Sequence, residues 1–89
     1  MATATGKISL EIVTPTGLAV KEEVDYVAAP SSGGEFGVLP RHIPFLTTLR
    51  PGPVNIALPE GKLSFNVGVG FAEAGPDRVT ILTESCEPA

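Results

Sequence analysis

At 89 residues, 43% of them hydrophobic, the chain can build one small core but not two. Ten acidic residues against six basic ones give a net charge of −4, and the cations (Lys7, Lys21, Arg41, Arg50, Lys62, Arg78) are scattered singly. That pattern excludes the clustered cations that grip a nucleic-acid backbone, and it disfavours docking on anionic lipid.

Ten Gly and nine Pro divide the chain into short apolar runs, the punctuation of an all-β protein. From Lys7 to Val13 the residues alternate, with Ile8, Leu10 and Ile12 on one side and Lys7, Ser9 and Glu11 on the other, which predicts a half-buried strand. Thr14-Pro15-Thr16-Gly17 predicts a turn. A second strand is predicted from Glu23 to Ala29, with Val24, Tyr26 and Ala28 on one face and Asp25, Val27 and Ala29 on the other. Phe45 to Leu49 and Val54 to Leu58 read as strands flanking Arg50-Pro51-Gly52-Pro53, and Pro59-Glu60-Gly61 as a tight connection. The clearest alternation follows: Leu63, Phe65, Val67, Val69 and Phe71 project one way and Ser64, Asn66, Gly68 and Gly70 the other. The second of these faces is nearly bare, so another backbone approaches there or the strand bends. Gly75-Pro76-Asp77 turns into a last predicted strand, Arg78 to Thr83, and Glu84 to Ala89 is expected to fray. No segment carries a helical period, and strands at about ten-residue spacing predict a small flattened antiparallel β-sandwich or barrel of about ten short strands.

Familiar chemistry is missing from this pattern. One His and one Cys, far apart, do not make a metal site, and single Cys86 excludes an internal disulfide. His42 has no nucleophile context around it, and Gly68-Val69-Gly70 has Glu73 where a dinucleotide fingerprint needs its third Gly, with no helix after it. No apolar run reaches the roughly 20 residues of a membrane span, and residues 1–6 lack the regions of a signal peptide. The expectation is a non-enzymatic domain with no catalytic residue, cofactor or metal and no direct membrane insertion, in keeping with a reducing compartment.

The informative stretch is Gly33 to Pro44. Gly33, Gly34 and Gly37 permit unusual backbone angles, whereas Pro40 and Pro44 stiffen it, so a shaped loop presenting Glu35, Arg41 and His42 is expected. A long wet sandwich turn satisfies the same composition. Glu35-Phe36-Gly37-Val38-Leu39-Pro40-Arg41-His42-Ile43-Pro44-Phe45-Leu46-Thr47 resembles the pattern E-[LF]-G-[IV]-[LY]-P-x-H-x-P-[LF]-[LV]-[ST] of the epsilon subunit of F-type rotary ATP synthases. Leu49-Arg50-Pro51-Gly52 and Val67 to Glu73 are similar to further stretches of that family, so the resemblance runs from about Ile8 to Ser85.

The resemblance implies a ten-stranded flattened β-sandwich, the family's N-terminal domain, with no catalysis of its own. It implies a place in the central stalk, gripping the gamma subunit and resting on the ring of c subunits, on the cytoplasmic side of the bacterial inner membrane as a peripheral component. By motif match it assigns Glu35, Phe36, Arg41 and His42 to partner contact, Glu35 toward the c-ring loops. The family's paired glycines are here Val69-Gly70, with Gly68 one position early. The family's helical hairpin is expected to be absent after Ala89, with residues 7–85 forming the ordered domain, so nucleotide sensing is not assigned. A free-standing β-barrel module binding a small ligand or peptide is the alternative.

Overall fold

The computed structural model describes residues 7–41 and 44–89, in which ten strands follow one another without a helix. They are β1 (Ile8–Thr14), β2 (Gly17–Val24), β3 (Tyr26–Ser31), β4 (Gly34–Val38), β5 (Phe45–Leu49), β6 (Gly52–Leu58), β7 (Gly61–Val67), β8 (Gly70–Ala74), β9 (Arg78–Thr83) and β10 (Cys86–Pro88). The predicted all-β sandwich of about ten short strands is what forms.

One continuous sheet in the order β10-β7-β6-β3-β5-β8-β9-β1-β2, with β4 added to β3, folds over on itself. The fold-over point is a single register pair, Ser31 with Leu49, supported by the Arg50 N–H donating to the Pro30 carbonyl at 3.1 Å. On one side lie β5, β8, β9, β1 and β2; on the other lie β10, β7, β6, β3 and β4. Ile8, Leu10, Ile12, Val20, Val24, Ala72, Ala74, Val79 and Ile81 meet Val27, Ala29, Val38, Val54, Ile56 and Val67 in the core between them. These are mostly β-branched side chains, which suit a pleated surface packed on one face. The antiparallel expectation holds for every neighbouring strand pair but one among the described residues: β1 and β9 run parallel, Leu10 beside Val79 and Ile12 beside Ile81.

Four local readings change. The predicted strand from Glu23 to Ala29 is two strands broken at Asp25, whose carboxylate accepts from Lys7 Nζ at 2.6 Å. Inward parity changes there, from Val20 and Val24 before the break to Val27 and Ala29 after it. The Gly33 to Pro44 stretch is not wholly a loop, because Gly34–Val38 zips onto β3 as Ala29 with Phe36 and Val27 with Val38. The tail does not fray: Cys86–Pro88 pairs with β7, Cys86 opposite Val67 and Pro88 opposite Phe65.

The fourth change concerns the long alternating strand. It ends at Val67, and the chain bends through Gly68 and Val69 before β8 begins. Val67 faces inward on one side of the bend and Ala72 and Ala74 on the other, so Val69 and Phe71 emerge on the outer surface. The bare glycine face accompanies the bend, because the protein's own chain fills it, with backbone over Gly70 and side chains over Gly68. A Cβ on Gly70 would fall onto the Leu82 carbonyl oxygen and lie 2.8 Å from Thr83 Cα; one on Gly68 would meet Glu84 Cγ at 2.6 Å. No partner backbone is required there.

Candidate functional site

The β4–β5 segment positions three of the four residues singled out by sequence; His42, the fourth, lies outside the described residues. Glu35 sits opposite Pro30 with its side chain exposed. Phe36, one residue on, points to the other side of the strand and is half-buried against the core. Its ring meets Phe45 edge to face, centroids 5.2 Å apart at 81°, a geometry favoured by aromatic quadrupoles. Phe36 therefore anchors the segment from beneath while Glu35 is presented above it. Gly37 lies beneath Tyr26, whose hydroxyl occupies the place a Cβ would take. Tyr26 itself is exposed at the sheet margin, as an edge aromatic should be.

Arg41 adopts φ 68°, a left-handed conformation uncommon for a residue with a Cβ. Its N–H donates to the Pro76 carbonyl in the β8–β9 turn, which holds the reversal in place and leaves the guanidinium exposed. Leu39, two residues earlier, is also exposed. Glu35 and Arg41 thus belong to one shaped segment, pinned at one end by Phe36 on Phe45 and at the other by Arg41 on Pro76.

A second surface escaped the sequence reading. On the outer face of β5-β8-β9-β1-β2 the register aligns Thr48, Phe71, Leu82, Val13 and Leu18 in one row across five strands. Leu18, Phe71 and Leu82 are exposed, as is Val69 beside the row, two residues before Phe71. Pro15 and Gly70 continue the depression that Val13, Val69, Phe71 and Leu82 line. The neighbouring row is Leu46, Glu73, Thr80, Glu11 and Lys21. An apolar stripe therefore runs beside a row with two carboxylates and one ammonium. No single segment signals it, because its members come from strands far apart in sequence and meet only through register.

Elsewhere the surface offers less. An open depression of about 600 Å³ lies between Tyr26, Leu63, Phe65 and Pro88, with Lys62 at its margin. Among the described residues no three His, Cys, Asp or Glu side chains gather as a metal site, and no helix is long and apolar enough to cross a membrane. Cys86 is half-buried; burial and then the charge of Glu87 push its thiol above the usual range.

Residues 7–89 match the family model described as ATP synthase, Delta/Epsilon chain, beta-sandwich domain. The ATP synthase epsilon chain of Desulfatibacillum aliphaticivorans is 49% identical over 83 residues, covering 92% of this chain and 59% of that protein. The epsilon chain of Herpetosiphon aurantiacus is 45% identical over 82 residues, covering 92% of this chain and 60% of that one. The chain thus spans about three fifths of the length of these relatives. Among solved structures, a chain of the Euglena gracilis mitochondrial ATP synthase, in an OSCP/F1/c-ring structure, superposes with a TM-score of 0.85 at 26% identity. That match covers 92% of this chain and 53% of the other. A chain of the Tetrahymena thermophila mitochondrial ATP synthase central stalk and c-ring shares the fold, with a TM-score of 0.76 at 15% identity and coverage of 92% and 66%. A family match over nearly the whole sequence, carried on this ten-stranded sandwich, shows that the chain belongs to the ATP synthase delta/epsilon chain β-sandwich domain family.

Proposed function

We propose that this chain acts as a non-catalytic central-stalk subunit of an F-type ATP synthase, passing rotation of the c-ring to the catalytic head through the gamma subunit. The observation that carries the reading is the pairing of two surfaces on one rigid sandwich: the apolar row of Phe71, Leu82, Val13 and Leu18, and the pinned segment of Glu35 and Arg41. A transmission element needs two separate grips on a stiff body, and burying an exposed apolar stripe is what drives a lasting contact.

In this reading the apolar row meets gamma. Phe71 and Leu82 fill the centre of the contact, and Glu73 and Glu11 call for basic residues along the partner's rim. The Glu35 segment meets the polar loops of the c subunits, with Arg41 and His42 beside it. Charges at such a wet rim set register and association rate more than affinity. The subunit sits peripherally on the cytoplasmic side of the bacterial inner membrane.

The bare-glycine motive for a free-standing ligand-binding module is gone, since Gly68 and Gly70 are covered from within the fold. The test is isolation of the affinity-tagged chain from its own host's membranes in mild detergent. Gamma and c subunits should be recovered with it, and a folded chain recovered without either would overturn the proposal.

A further inference from the structure

Thr83 is one of the two buried polar residues among those described, 6% exposed at the inward end of β9. Its hydroxyl faces three backbone carbonyls at once: Gly68 at 2.9 Å, Val69 at 3.2 Å and Ser85 at 3.2 Å. Two of these belong to the bend between β7 and β8, and the third to the connection between β9 and β10. The same connections are crossed by two backbone bonds, Gly68 N–H to Ser85 O and Glu84 N–H to Val69 O, each 3.1 Å.

Three carbonyl oxygens converging on one point repel one another, and although Val69 O and Ser85 O each also accept a backbone N–H, a hydrogen shared among the three relieves that repulsion. A threonine hydroxyl supplies one donor that can be shared among the three. Valine has nearly the same shape but puts a methyl group where the shared donor stands, so the three oxygens lose it.

From this we infer that the Thr83 hydroxyl is the positioning group of the apolar row. It latches the bend at Gly68 and Val69, and the bend is what shifts parity so that Val69 and Phe71 face outward instead of into the core. The inference rests on the proposed docking of that row on gamma. Thr83 touches no partner in it; it acts through the placement of Val69 and Phe71.

The test compares Thr83→Val and Thr83→Ser in the full chain by two readouts: amide exchange at Gly68 and Glu84, and affinity for purified gamma. In Thr83→Val both amides should exchange at least about tenfold faster while the β1 amides stay protected, and gamma binding should weaken severalfold. Thr83→Ser should restore both. A folded Thr83→Val variant that keeps wild-type exchange, or wild-type binding, overturns the inference. Leu82→Glu runs beside them: wild-type gamma binding by that variant counts against the docking reading itself, and the exchange readout then still decides the latch. If Thr83→Val does not fold, the wild-type hydroxyl proton decides. It should be visible by NMR as a slowly exchanging signal close to Val69, and a rapidly exchanging hydroxyl overturns the inference.

Discussion

Phe71 and Leu82 lie directly opposite each other on antiparallel neighbours β8 and β9, and each leaves about half of its side chain exposed, 54% and 51%. Cross-strand apolar pairs of this kind ordinarily face a core. Here the pair faces outward, with Val13 beyond Leu82 and Leu18 beyond Val13. Replacing Leu82 with Glu removes apolar surface without touching the interior. Stability should change by no more than about 0.5 kcal/mol in urea titrations, whereas affinity for gamma should fall roughly tenfold or more, about 1.4 kcal/mol.

Gly70 and Gly33 separate a crowded glycine from a free one. A Cβ at Gly70 falls onto the Leu82 carbonyl, while one at Gly33 meets nothing. Gly70→Ala should cost about 1–3 kcal/mol or more, by overpacking against backbone that cannot yield. Gly33→Ala should lie within about 1 kcal/mol of the parent. Urea midpoints with unchanged slopes would read both.

Ile81 is fully buried in the centre of the core. Ile81→Ala should lose about 2–5 kcal/mol. For a domain of this size that is a large share of a total stability of about 4–13 kcal/mol, so the thermal midpoint should drop by about 8–40 °C.

What the sequence showed follows from how much of each element has one buried face. The alternation of Ile8, Leu10 and Ile12 was legible because β1 buries that side and the opposite side stays polar. From Leu63 to Phe71 the same signal misled. A bend at Gly68 and Val69 shifts parity, while the large residues continue to alternate as though nothing had happened. The inward residues after the bend, Ala72 and Ala74, are too small to announce themselves. Gly34–Val38 was hidden by its glycines, which suit a loop equally well. Cys86–Pro88 was hidden by brevity, since three residues carry no period. For the candidate surfaces, Glu35 and Arg41 were found because their segment is contiguous. The apolar row was missed because it is assembled by register alone.

Cys86 offers a pH-dependent handle. Burial, and then Glu87, raise its thiol pKa in the folded state. A raised pKa means that the folded chain holds the proton more tightly than the unfolded one. The associated stability is complete below the unfolded thiol's pKa of about 8.5 and is lost as pH rises through the folded value. At pH 8 alkylation should therefore be slower than for an unstructured peptide thiol, with the gap closing in more alkaline buffer. Iodoacetamide rates across that window would show it.

Glu35→Lys reverses an exposed charge on a strand whose support lies in Phe36 and Phe45. Folding stability should stay within about 0.5 kcal/mol of the parent, while ATP-driven proton pumping by the assembled enzyme should weaken. Equal pumping by both forms would remove Glu35 from the c-ring contact.

The division of labour between the two surfaces is tested most directly by site-specific photo-crosslinking in the assembled enzyme. A benzophenone side chain is placed at Leu82 in one variant and at Glu35 in another. The account expects the position-82 probe to capture gamma and the position-35 probe to capture a c subunit. Capture of neither partner by either probe, in an enzyme that contains the chain, would contradict it.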